Sequence, residues 1–124
     1  MATALKIQTS EHVHSEPLDG DSRCREQGTV VGGADPGLLP GTILGKLTAD
    51  GNYVRYDSTA DTGAEVVAGV LFEQAIGTQR RTVHVRNCTM VQEHLTYEDG
   101  ADDAAITATN DALKALGIIP LKGE

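Results

Sequence analysis

Residues 40–48, Pro40-Gly41-Thr42-Ile43-Leu44-Gly45-Lys46-Leu47-Thr48, run through Ala49-Asp50-Gly51 into Asn52-Tyr53-Val54-Arg55-Tyr56. This stretch decides the fold class. Side chains of a strand alternate between faces, so Thr42–Thr48 puts Ile43, Gly45 and Leu47 on one side. Asp-Gly between two apolar runs is a hairpin signal, and Asn52–Tyr56 reads as the returning strand. Asp57–Ala64 then reads as a loop. Glu65–Phe72 (EVVAGVLF) is a near-continuous apolar run of strand length, as expected of a buried strand. Glu73–Gln79 reads as a connection. Arg80–Leu95 is β-rich, and the alternation Thr82-Val83-His84-Val85-Arg86 places both valines on one side. Tyr97–Asp103 reads as an acidic loop.

A helix is expected near the C-terminus. Thr109 or Asn110 can cap it, and Asp111 sits favourably at its positive end. Ala112, Leu113 and Leu116 supply the apolar stripe, Gly117 ends the helix, Ile118-Ile119 pack back, and Pro120 stops continuation. The fold class is therefore mainly β with one or two short helices (α+β).

Upstream the pattern changes. Glu11–Glu26 (EHVHSEPLDGDSRCRE) is charged and lacks a sustained apolar period, so it cannot bury enough surface to offset its ordering entropy. Thr29-Val30-Val31 is an apolar island able to form a short strand, given a partner strand from elsewhere, another chain included. Gly32–Gly41 (GGADPGLLPG) reads as a Gly/Pro-rich connector. The expected organisation is an extended N-terminal arm and connector over 1–40, then a β-rich body with its helix over 41–124.

Composition narrows the function. At 124 residues one domain is expected, and with no Trp, one Phe and three Tyr its core rests on Val, Ile, Leu and Ala. A net charge of −8 opposes nucleic-acid binding, which needs a basic stripe. No apolar run approaches the ~20 residues of a membrane span. Met1–Ser10 lacks the apolar stretch of a secretory signal. Cys24 and Cys88 lie far apart and form neither a disulfide framework nor a metal knuckle, so free thiols in a reducing cytosol are expected.

The candidate chemical constellations are weak. His12 and His14 share a face in an extended arm and could begin a metal site with Cys24, His84 or His94, but the spacing matches no short metal motif. Cys88 with His84 or His94 would make a nucleophile and base, yet no strained turn or oxyanion hole marks it. Gly41, Gly45 and Lys46 lack the Ser or Thr that follows the lysine of a phosphate loop. Glu98, Asp99, Asp102 and Asp103 offer oxygens to a hard cation without the spacing of a calcium loop. Arg23 and Arg25 flank Cys24, and Arg80-Arg81 form a second basic spot; both suit carboxylates on a partner surface.

Taken in order, Pro40–Thr48, Gly51–Val54, Asp57, Val67–Leu71 and Ala112–Ile118 resemble the tailed-phage head decoration proteins, the lambda head protein D-like family. Ser22–Val31 (SRCREQGTVV) is similar to the arm preceding the first core strand in longer members. The resemblance spans about residues 22–121; residues 1–21 match nothing in it. It implies a β-clip-like body and trimers on the outside of an expanded icosahedral head, bracing the shell against packaged DNA. The implied partners are the major capsid protein and two further copies of the chain, with no direct nucleic acid and no membrane. The implied location is the outer capsid surface, after synthesis in the host cytoplasm. It implies no catalytic site, metal or other cofactor. Capsid contacts are expected from the arm at Arg23, Arg25, Thr29, Val30 and Val31. The competing readings are a small metal-binding protein using His12, His14 and Cys24, an enzyme using Cys88, and another trimeric β-module for protein interaction.

Overall fold

The computed structural model describes residues 12–15, 24–98 and 100–121. Pairing is organised around the expected hairpin. Strands β3 (Ile43–Lys46) and β4 (Tyr53–Arg55) run antiparallel, with Leu44 opposite Arg55 and Lys46 opposite Tyr53. Asp50 Oδ1 accepts the Asn52 N–H at 3.0 Å, and Gly51 takes a positive φ of 76° in the turn. On its other side β3 pairs with β5 (Val67–Leu71), which reaches β6 (Ala75–His84). β6 pairs along β2 (Arg25–Leu38), and β2 touches β4 at Val30↔Tyr53, closing a barrel in the order β2-β4-β3-β5-β6.

A second, three-stranded sheet lies beside the barrel: β1 (Val13–Ser15), β7 (Cys88–Val91) and β8 (Ile118–Leu121), in the order β1-β7-β8. A short 3-10 turn (Gln92–His94) follows β7, and helix α1 (Asp103–Ala115) precedes β8. The fold is thus mainly β with a single α-helix among the described residues, as expected.

Two apolar clusters explain the continuous apolar runs. Inside the barrel are Val30, Leu44, Tyr53, Leu71, Ala75 and Val83. Between barrel, second sheet and helix are Ile43, Val67, Val70, Met90, Leu95, Leu113 and Ile118, with Cys24 and Cys88. Adjacent strand residues point opposite ways, so Leu44 and Leu71 enter one cluster while Ile43 and Val70 enter the other. A strand buried on both faces cannot show polar alternation. Each such aliphatic side chain contributes about 1.5–3 kcal/mol by leaving water. Gly45 lies where β3 passes the Ala64 backbone, and a Cβ there would stand 2.6 Å from the Ala64 carbonyl oxygen.

The structure differs from the sequence expectation in three elements. The island at Thr29–Val31 belongs to a 14-residue strand that takes in most of the Gly/Pro-rich connector, and its partner is β6 of the same chain. Glu73–Gln79 is not wholly a connection, because β6 begins at Ala75. The helix begins at Asp103, not beside Thr109 or Asn110. Its cap is Asp102, whose Oδ1 accepts the Ala105 N–H at 2.9 Å. Thr109 is buried in the helix and donates its hydroxyl to the Ala105 carbonyl, which hides the polar atom and lets the residue face the core.

Val83 is fully buried and Val85 packs on the same cluster, as the alternation predicts. His84, on the opposite face, is also fully buried, because Phe72 and His12 cover that side. Gly117, with φ of 86°, ends the helix, and Ile118-Ile119 return in β8.

Candidate functional site

Strands β2 and β6 form a ribbon whose facing is set by their register. Directly opposed residues share a face, so Gln27 goes with Thr82, Thr29 with Arg80, and Val31 with Thr78. The other face carries Gly28 opposite Arg81 and Val30 opposite Gln79. That second face turns towards the barrel: Val30 is fully buried, and the Tyr53 ring occupies the space a side chain on Gly28 would need, with Tyr53 Cε2 only 2.6 Å from a Cβ built there. Burial and, secondarily, the Glu26 carboxylate raise the Tyr53 phenol above its ordinary range.

The outward face therefore gathers expected contact residues from separate parts of the sequence. Thr29 is half-buried and Val31 is 37% exposed. Arg80, from the other basic spot, stands across from Thr29. Arg25 is half-buried at the foot of the ribbon, its guanidinium carbon 4.5 Å from the Phe72 ring centroid. A cleft of about 230 Å³ lies there, lined by Arg25, Glu26, Gln27 and Thr82. The Gln27 amide donates to the Thr82 hydroxyl at 2.6 Å, and Arg86 pairs with Glu26 at 2.6 Å. Val30 keeps its side chain in the barrel, and its backbone lies between Gln79 of β6 and Tyr53 of β4. Arg23 lies outside the described residues.

The other constellations separate as follows. His12 and His84 approach each other, ring centroids 6.1 Å apart, with Phe72 edge-on to both. Among the described residues no three of His, Cys, Asp and Glu stand together as metal ligands. The His14 side chain lies outside the described residues. Cys24 and Cys88 are free thiols, both buried in the cluster under the helix. Within the acidic loop, Asp102 caps the helix, Glu98 Oε2 accepts the Ser58 N–H at 3.1 Å, and Asp99 lies outside the described residues. A second cleft, about 310 Å³, is lined by Arg55, Tyr56, Asp57 and Glu98. The Thr59 hydroxyl and N–H both donate to Asp57 and hold its carboxyl below the usual range.

Sequence reasoning missed the Thr78 and Gln79 positions of the ribbon. Their signal was the upstream continuation of the Thr82–Arg86 alternation, interrupted by Gly77 with its positive φ of 66°.

What this surface can do is bind, through backbone, apolar and cationic groups on an otherwise acidic molecule. The fold is that of a small β-barrel protein. A family model for bacteriophage lambda head decoration protein D matches residues 8–118, and the chain belongs to that family of structural phage-capsid proteins. The match takes in the barrel, the second sheet up to Ile118, and α1. Among curated proteins none matches the chain at a significant level. Family membership makes the capsid its binding partner and the virion's capsid surface its place. No helix among the described residues is long and apolar enough to cross a membrane.

Proposed function

We propose that the protein binds as trimers at three-fold positions on the outer surface of the expanded head and braces the shell against packaged DNA. The observation that carries this reading is the family match across nearly the whole chain. The major capsid protein is the partner, reached through Arg23, Arg25, Thr29 and Val31; Val30, expected among these contacts, is turned into the barrel. The first 40 residues supply these contacts, and β2 within them also closes the barrel whose other strands come from residues 41–124. A closed trimer suits a 124-residue chain, since three copies bury surface that one cannot. Net acidity suits an outer surface that does not attract the enclosed DNA. Synthesis in the host cytoplasm agrees with the two free thiols.

The bracing role has a direct test. DNA-filled heads lacking decoration are heated with and without added protein, and released DNA is measured. Retention of DNA to a higher temperature on addition is the expected result. Equal release in both samples contradicts bracing.

A further inference from the structure

Among the described residues, strand β6 is paired on one side along most of its length and on the other only at one end. β2 pairs with it from Arg25↔His84 to Leu38↔Ala75. β5 meets it only at Val70↔His84 and Leu71↔Val83. The Phe72 N–H donates to the Thr82 carbonyl at 3.1 Å, so the even-numbered backbone groups here point away from β2. Two side chains close the ends of this edge. Glu73 Oε2 accepts the Thr82 N–H at 3.1 Å, and Gln79 Oε1 accepts the Ile76 N–H at 2.8 Å. Between them the N–H and C=O groups of Thr78 and Arg80 face outward, with no strand beside them among the described residues.

The charges beside these groups are unmatched. Arg86 has its carboxylate in Glu26, whereas Arg80, which is exposed, meets no acidic side chain among the described residues. Arg81 Nε is shut off from solvent and has no acceptor among them. Arg80 and Arg81 project to opposite faces of the ribbon. Adjacent residues of an added strand do the same. Val31 and Ile76, 37% and 38% exposed, add apolar area nearby.

We propose that this edge receives an extended segment of the capsid protein carrying two adjacent carboxylates. Its backbone pairs with Thr78 and Arg80, and its carboxylates meet Arg80 and Arg81. Main-chain bonds supply affinity and the charges select the segment. The identity of the partner rests on the head-decoration reading; the open edge and the unmatched arginines do not.

The test measures binding of the full chain to expanded, undecorated heads by co-sedimentation across a salt series. It uses Arg80→Glu, Arg81→Gln and Thr78→Pro, each checked for its folded state by thermal unfolding. Proline at 78 removes an outward N–H that faces no paired strand among the described residues. The expected result is binding weakened by about tenfold or more in each variant, with a shallower salt dependence for the two arginine changes. Folded variants that bind as the parent does overturn the proposal and leave the decoration reading standing. Failure of the parent chain itself to bind overturns both. Should Arg81→Gln unfold, the other two variants decide.

Discussion

Tyr97 ties the loop before the helix to the helix itself. Its hydroxyl donates to Asn110 Oδ1 at 2.6 Å, and its carbonyl accepts from Arg55 Nη2 at 3.2 Å. Burial pushes the phenol up from 10.0 to about 12. Because the folded value is raised, the associated stability is fully present below about pH 10 and is lost as pH rises through the folded value. Unfolding free energy should therefore fall between about pH 10 and about 12, and that part of the slope should vanish in Tyr97→Phe. Denaturant titrations at several alkaline pH values measure it; an unchanged slope in the variant contradicts the assignment. None of this was legible beforehand. Asn110 carries a helix-capping signature in sequence, and only the approach of Tyr97 gives its side chain another role.

At the scale of elements, β2 makes the sharpest statement, since neighbouring valines have opposite environments. Val30→Ala should cost about 1–3 kcal/mol, from lost transfer energy and the cavity left in the barrel. Val31→Ser, on the outward face, should stay within about 0.5 kcal/mol. Equal losses at the two positions contradict the register. For the helix, Asp102→Ala should cost about 1 kcal/mol by freeing the Ala105 N–H, read as a lower unfolding midpoint. The β3–β4 hairpin and β5 were legible because turn chemistry and continuous apolarity are local signals. β2 was only partly legible: the glycines and proline of Gly32–Gly37 read as loop. Gly32 and Gly37 in fact let the strand pass the Ala75 carbonyl, which a Cβ at either position would strike. The helix start was hidden because Ile106 is the sole large apolar residue of Ala104–Ala108, too little to mark a stripe, and the buried Thr109 looks polar in sequence.

The whole molecule combines an acidic body with a ribbon that collects cationic and apolar groups. Arg25, Thr29 and Val31 share a face because they alternate along β2. That Arg80 joins them was not legible in the sequence, because the β2–β6 register is long-range and leaves no local trace. The partner strand expected from elsewhere turned out to be β6 of the same chain. The central claim is that these surfaces seat copies of the chain on the phage head in threes. Its most direct test is saturation binding of the full chain to expanded, undecorated heads, with bound protein counted against capsid protein. Saturation at three copies per three-fold position is the predicted result. No saturable binding, or a plateau unrelated to multiples of three, would contradict it.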